Sequence, residues 1–565
     1  MKQHKGTRAL LVIIAIVLIL SIAFIVVVAS YADYVSAVYN AYKQPSFVCP
    51  ENASARSTPD MTDSVRLFVN IDETTQVPEL NLYLQDKTIT DEALIFYIEP
   101  YIDTQVTDIM FNISGQSSAS PTNVLTYRGD KFLQTTENGI DVDYSHITYW
   151  WQPLQEQNIN PFPIWFAQCK ENGINPWISI RMNDCHEPYA TTSFLRSDFF
   201  YEAREKGWMI GEEYGYNQTC LNYAVPEVRK RMLDYIEEQL CMYDVYGLEL
   251  DWLREIYCFD YLHEDNATIV AIMNDFMRDA NAIVKKAEAI HGHSIKLSAR
   301  LCRDIDQNKV FGFDVRTWYK EGLVDSITVS PRFSSCDSGM DIHGWKQTFP
   351  HIEIYAGIEA RVSPTGEPRE NAVADVETVR GYAAQYLIDG ADGIYLFNYM
   401  AYGCMGHTEA IYKTCGNFGT AINNTRRHVM TYQDLAPKNA ERYQPLPVVA
   451  VKGKTVGITQ KIAPVPSNAT VNIYIGTATK IDEKRLNASI DGASCTFVGA
   501  ATVFAKNTQS DGEPVQNGYV PHDSYVYRFC VTDTAKIGDV AYVSLRNRSV
   551  IPLVITYFEL EILIE

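Results

Sequence analysis

The chain reads as an α/β protein: a (β/α)₈ TIM-type barrel followed by an all-β sandwich and preceded by one N-terminal transmembrane helix. Three observations lead there. Eight short strand-like segments alternate with helical stretches between residues 65 and 400, the pattern becomes strand-only after residue 445, and residues 9–29 form one apolar run.

The apolar run comes first in the chain. Lys2, Lys5 and Arg8 precede it, and Ser21 is the only polar residue inside it. At helical rise it is about 30 Å long, the thickness of a bilayer core. Positive charge on its N-terminal side puts residues 1–8 in the cytoplasm and the bulk of the chain outside the cell membrane, as a single-pass protein. A cleaved signal peptide would export the chain equally, because residues 28–30 (VAS) are small enough to be cut. Its apolar stretch is usually about 7–15 residues, however, so the longer run favours an uncleaved anchor. Residues 30–60, with Pro45, Pro50 and Pro59 and no sustained period, read as a stalk.

A chain of 565 residues with 46% hydrophobic and 12% aromatic content has the means to fill two or three cores. Its 36 Tyr and 8 Trp also suit sugar binding, since flat side chains stack on the apolar face of a pyranose. The formal charge of −21 would repel a phosphate backbone, so no nucleic-acid partner is expected. The 12 Cys show no C-x-x-C and no metal-ligand spacing; neither a metal nor a cofactor is expected.

The barrel is expected over residues 61–436. Its strands are 65–72 (VRLFVNID), 107–114 (TDIMFNIS), 175–184 (NPWISIRMND), 246–252 (YGLELDW), 294–301 (SIKLSARL), 325–332 (DSITVSPR), 351–359 (HIEIYAGIE) and 393–399 (GIYLFNY). Helices are expected over 226–243, 267–289 and 372–387. Strands alternate sides, so if Ile178, Ile180, Leu248, Leu250, Ile354 and Ile358 face the helices, their neighbours face the barrel axis. Those neighbours are polar: Asn70 and Asp72, Asn112, Arg181 and Asn183, Glu249 and Asp251, Ser298 and Arg300, Arg332, Glu359, and finally Asn398 and Tyr399. They lie toward the C-terminal ends of the strands, where active sites of this architecture are built. A buried ion-pair network is the plain alternative for any one of them, but a barrel needing only stability would use branched apolar layers.

The segments ISIRMNDCHEP (178–188) and NYAVPEVRKRMLDYIEEQLCMYDVYGLELDWLRE (222–255) resemble the glycosyl-hydrolase-like family 10 group of (β/α)₈ proteins. That group pairs an R-M-N-D-x-H segment with a later G-I-E-L-D-[FW]-x-R segment. The resemblance spans residues 65–400 and is most specific across 175–260. It implies a glycosidase-like protein acting in carbohydrate metabolism on a polysaccharide or glycan. One departure is that Arg254 is followed by Glu255, Ile256 and Tyr257 rather than an aromatic or His-Pro segment, which adds a carboxylate near the mouth.

Glycoside hydrolysis commonly uses two carboxyl groups flanking the scissile bond. Retaining barrel glycosidases often place the acid/base after strand 4 and the nucleophile after strand 7. By that likeness Asp251 is the expected acid/base and Glu359 the expected nucleophile, with Asp184, Glu249 and Glu255 as the other carboxyl candidates. Glu249 sits two residues deeper than Asp251, where pairing with Arg181 or Arg300 is the simpler role. Arg181, Asn183, Asp184 and His186 cluster after strand 3; Arg181 either binds substrate or serves as counter-ion to Asp251. Trp150, Trp151, Trp177, Trp252 and Tyr399 are the aromatic candidates for a cleft. Trp252 points outward by parity and belongs to the core, whereas Trp150 and Trp151, in a long loop after strand 2, make the better sugar platform. Residues 207–222 are expected to overhang the mouth.

Residues 445–565 carry the runs VVAVKG, TVNIYIG, CTFVGAATVF, SYVYRFCVT, DVAYVSLRN and PLVITYFELEILI after Pro437, Pro445 and Pro447. Their recurrence predicts an antiparallel sandwich, whose last strand resembles the closing strand of jelly-roll carbohydrate-binding modules. With no Trp row in it, a supporting role is expected ahead of glycan binding. The rival to hydrolysis for the whole chain is a non-catalytic glycan-binding or cell-envelope scaffold.

Overall fold

The computed structural model describes residues 34–50, 65–72, 90–128, 156–331, 336–362, 374–399, 408–431, 445–501 and 525–564, apart from single positions within them, and a few short pieces between 129 and 155. The apolar run at 9–29 lies outside the described residues. Among the described residues no helix is long and apolar enough to cross a membrane.

Eight parallel strands close into a barrel in which each strand lies beside its sequence neighbours and the last returns to the first. They are β1 (Arg66–Asp72), β2 (Asp108–Ser114), β3 (Asn175–Arg181), β4 (Gly247–Asp251), β5 (Lys296–Leu301), β6 (Ser326–Val329), β7 (Glu353–Glu359) and β8 (Gly393–Phe397). Every strand expected from the sequence is present, shorter by a residue or more at one or both ends. The outward set packs as alternation requires: Ile178, Ile180, Leu248, Leu250, Ile354 and Ile358 are fully buried. The helices between follow local rules. The helix α1 (Pro226–Met242) starts with Pro in its first turn, where the missing N–H costs nothing. The longer α2 (Asn266–His291) is capped by Asp265, whose carboxylate accepts from the N–H groups of Ala267 and Thr268, and ends at Gly292 in the left-handed conformation.

Inside the barrel the N-terminal end is an aromatic plug. Phe68, Met110, Trp177, Tyr355, Tyr395 and Phe397 form one buried cluster, which Phe397 carries up to the level of Glu359. Arg66 covers the plug: its Nε donates to Asp108 Oδ2 at 3.0 Å, and its guanidinium lies over the Phe68 and Tyr246 rings, 4.9 Å from each centroid. Asp108 in turn accepts from Trp177 Nε1 at 2.8 Å. Trp177, a cleft candidate on sequence, is therefore core at the end opposite the mouth.

Gly247 opens β4 beside Trp177, and a methyl group built there would fall within the Trp177 ring. Gly247→Ala is accordingly expected to cost about 1–3 kcal/mol by overpacking, read as a lower urea midpoint. An unchanged midpoint would mean that the plug has slack.

The C-terminal unit contains two antiparallel sheets. In one, Ala469–Thr477 lies between Leu553–Ile564 and Tyr525–Val531, with Thr496–Ala501 beyond. In the other, Val540–Asn547 lies between Thr455–Lys461 and Leu486–Ile490. These last two strands were not anticipated: TVGITQK and LNASI carry too little apolar alternation to stand out. Part of the expected stalk packs onto this unit. Phe47 N donates to Thr455 O at 2.8 Å, and the Phe47 ring fills the space a side chain at Gly457 would need.

Candidate functional site

At the C-terminal mouth the parity argument becomes a row of charges. Arg181 on β3, Asp251 on β4 and Arg300 on β5 are in register across three adjacent strands. Arg300 grips Asp251 with both arms, Nε to Oδ1 and the second guanidinium nitrogen to Oδ2, each at 3.0 Å. The Oδ1 atom also accepts from the backbone N–H groups of Leu253 and Arg254 at 2.9 Å. Asp251 is 1% exposed and Arg300 fully buried, with its guanidinium 3.9 Å from the Phe397 ring centroid. Both carboxylate oxygens of Asp251 are occupied by donors from Arg300 and the turn after β4. The counter-ion of Asp251 is thus Arg300 and not Arg181.

Arg181 instead joins β1, β2 and the turn after β3. It donates to Asp72 Oδ2 at 2.6 Å and to Asp184 Oδ2 at 3.4 Å. With its amide oriented for best bonding, Asn112 accepts from Arg181 Nε at 3.1 Å and donates to Ser114 O. Burial acts against the Arg181 charge, but Asp72 and Asp184 outweigh it and hold the guanidinium protonated. A second chain of bonds leaves Asp184: its Oδ1 accepts from the His186 backbone N–H at 3.0 Å and lies 2.6 Å from His186 Nδ1, while Arg254 reaches His186 Nε2 at 2.5 Å. Because Arg254 can only donate, Nε2 is the acceptor and the ring proton sits on Nδ1, facing Asp184. Burial opposes ionisation of Asp184, yet the hydrogen bond from His186 and the charges of Arg181 and Arg254 hold it well below the usual carboxylate range. With both ring nitrogens engaged, His186 is a fixed link and offers no lone pair to a metal. Among the described residues no three of His, Cys, Asp and Glu converge as metal ligands.

Glu249 lies one layer deeper, level with Ser179 and Ser298. Its Oε1 accepts from the Ser179 and Tyr395 hydroxyls, both at 2.8 Å, and its Oε2 has no partner. Hydroxyls, and not the arginines expected from its depth, are its partners. Burial pushes its carboxyl up to about 7, with the negative charge of Asp251 adding to the effect and Arg300 opposing it. Asn70, also deep, leaves its Oδ1 unpartnered, as do the Ser298 and Thr328 hydroxyls.

Three further candidates serve the framework. Asn183 donates to Leu221 O and Tyr257 O and accepts from Leu221 N at 2.8 Å, so it pins two loops and presents nothing to a substrate. Tyr399 is buried and donates to Glu359 O at 3.0 Å. Trp252 packs against Tyr223, Phe276 and Phe313 in the helical shell, as parity required. Glu255 and Glu359 are each 1% exposed, and Glu359 Oε1 accepts from Ala360 N at 2.9 Å. Arg332, Asn398, Trp150 and Trp151 lie outside the described residues. Arg128 was not foreseen. Buried in the loop after β2, it donates to Ser117 Oγ at 3.1 Å, and burial lowers it to about 10, against the pull of Asp72 and Asp184. No period marks such a loop residue in sequence.

No family model matches the chain, and no curated protein matches it at the level of sequence. Solved structures do. A family GH18 chitinase from Chromobacterium violaceum is 9% identical, with 91% of this chain and 93% of that one covered and a TM-score of 0.32. A glycoside hydrolase family 18 N-acetylglucosaminidase from Paenibacillus barengoltzii is 10% identical over 62% of this chain and 99% of its own, at a TM-score of 0.33. A cycloisomaltooligosaccharide glucanotransferase from Paenibacillus sp. is 9% identical over 88% of this chain, which spans only 57% of that one, at a TM-score of 0.31. No family assignment follows from these likenesses.

Proposed function

We propose that this chain is a glycoside hydrolase acting on a polysaccharide or glycan outside the cell, held at the membrane by residues 9–29. The observation that supports it best is the mouth itself. Asp72, Asn112, Arg181, Asp251, Arg300 and Glu359 all come from strand ends, where an inert barrel would carry branched apolar side chains. Asp251 and Glu359 are the carboxyl pair of the reading. With Asp251 salt-bridged to Arg300, we assign it the part of the group that attacks or stabilises the anomeric carbon, and proton transfer to Glu359.

A specific observation favours a second reading, a glycan-binding or envelope scaffold: Asp72, Asp184 and Asp251 are each already paired with an arginine, Arg181 serving the first two and Arg300 the third. One experiment separates the two. The full-length chain in detergent is incubated with glycan panels beside Asp251→Asn and Glu359→Gln, and reducing ends are counted. Release lost in both variants, with unfolding midpoints checked, supports hydrolysis by this pair. Binding without release, unchanged in the variants, leaves the scaffold. Retention of the chain in membranes after an alkaline wash checks the anchor; recovery in the wash would point to a cleaved signal.

A further inference from the structure

The chain carries a formal charge of −21, yet one end of its C-terminal unit is basic and apolar. Two stretches there, 451–454 (VKGK) and 546–552 (RNRSVIP), contain Lys452, Lys454, Arg546 and Arg548 and no acidic residue. The Asn547 side chain draws them together: its amide donates to Ala450 O and to Ile551 O, both at 2.9 Å, and Asn547 O accepts from Gly453 N at 3.0 Å. Arg485 lies beside them, its carbonyl accepting from Arg548 N at 2.7 Å, but Asp482 stands 3.7 Å from its guanidinium and offsets that charge. Lys452, Arg546 and Arg548 are exposed. At the tip, Val550 and Ile551 are 64% and 59% exposed, an apolar pair that folding leaves in water.

The segment that follows the apolar run is seated on this same end. Lys454 Nζ donates to Tyr42 O and Gln44 O, and Phe47 N donates to Thr455 O. Residues 34–43 form a helix on which Val35, Tyr39 and Tyr42, spaced by four and three, share one face, and each is about half exposed. Lys43 Nζ lies 4.2 Å from the Tyr39 ring centroid. Residue 34 comes five positions after the apolar run ends at 29, a reach of at most about 18 Å for extended chain. A run that spans a bilayer therefore starts this helix close to the headgroups, where Tyr is the favoured aromatic.

We propose that this end of the C-terminal unit docks on the outer face of the bilayer. Val550, Ile551 and the Tyr39–Tyr42 face enter the headgroup layer, and Lys452, Arg546 and Arg548 meet the phosphates of anionic phospholipid. The occupant follows from charge and reach together: the acidic remainder of the chain is repelled by an anionic surface, so attraction is confined to this end. The proposal rests on the reading of residues 9–29 as an anchor.

The full-length chain is transferred from detergent into vesicles of phosphatidylcholine or of phosphatidylcholine and phosphatidylglycerol in equal parts. The vesicles are floated, a portion is washed with alkali, and amide hydrogen exchange is followed in peptides covering 35–43 and 546–552. Exchange in both peptides is expected to be slower in the mixed vesicles by about fivefold or more, the weight of one basic side chain at an anionic surface. Arg546→Glu with Arg548→Glu should return it to the rate in phosphatidylcholine, as should high salt. Val550→Ser with Ile551→Ser, which leaves the charges alone, should also weaken the protection. Equal rates in the two lipids, or protection untouched by both pairs of substitutions, overturns docking, and survival of the alkaline wash would then leave the anchor standing. Binding to mixed vesicles alone, lost in the wash, would remove the anchor and keep the docking surface, whereas binding to neither removes both. Protection that appears in detergent and grows with protein concentration would assign the face to a second copy of the chain and overturn the lipid assignment.

Discussion

Arg300→Met is expected to lower the unfolding free energy of the barrel by about 3–5 kcal/mol, and Asp251→Asn by a similar amount, while the double substitution costs much less than their sum. The reason is the depth of the pair. Arg300 is fully buried and Asp251 nearly so, and they share two bonds of 3.0 Å. Removing one partner strands a charge where water cannot reach it; removing both charges leaves a neutral amide beside a thioether of similar length. Asn is chosen because its carbonyl can still accept from the backbone N–H groups of Leu253 and Arg254, which Asp251 now satisfies. Urea unfolding followed by tryptophan fluorescence reports the barrel alone, since all 8 Trp lie between residues 150 and 345. Losses that simply add would show that the two charges do not depend on each other.

The barrel could be read from the sequence because its outward positions are apolar without exception in the strands that mattered, and alternation then assigned the inward ones. Alternation fixes a side, not a depth. Trp177 and Arg181 share a face of β3, yet one seals the bottom of the barrel and the other lies at the mouth, four residues and two pleats apart. Nor does alternation choose partners. On paper Arg181 was the counter-ion offered to Asp251, and Arg300 entered only as a partner for Glu249; the register sets both arginines beside Asp251, and the side chains give the pair to Arg300 while Arg181 turns to Asp72 and Asp184. Arg128 sits in a connection with no period at all, and only the folded chain brings it to the end of β3. The segments resembling the glycosyl-hydrolase-like group, 178–188 and 222–255, contribute both the Asp184–His186–Arg254 chain and Asp251. What they mark in the structure is a tightly bonded charge network.

Glu249→Gln is the remaining large effect, and its sign follows from proton linkage. The folded-state value of about 7 lies above the roughly 4.3 of an unfolded glutamate. Below about pH 4 the group is protonated in both states and costs nothing. As pH rises the unfolded chain releases the proton first, so stability falls by up to about 1.4 kcal/mol per pH unit until the folded carboxyl also ionises, and is flat beyond that. The loss accumulated across this window is about 4 kcal/mol. Burial causes most of it, and the fixed negative charge of Asp251 the rest. Gln cannot ionise, retains an oxygen for the Ser179 and Tyr395 hydroxyls, and replaces the protonated acid with a group of nearly the same shape. The wild-type minus variant difference in urea midpoint should therefore shift steadily in favour of Glu249→Gln from pH 4.5 to 7 and then level off. Acidic groups with lowered values, Asp184 above all, act in the opposite direction at lower pH and cancel in that difference. A difference that stays constant across the window would mean that Glu249 is ionised in the folded barrel. In that case two adjacent anions, Glu249 and Asp251, would share the single guanidinium of Arg300, and the mouth would carry one more negative charge than the hydrolytic reading assigns it.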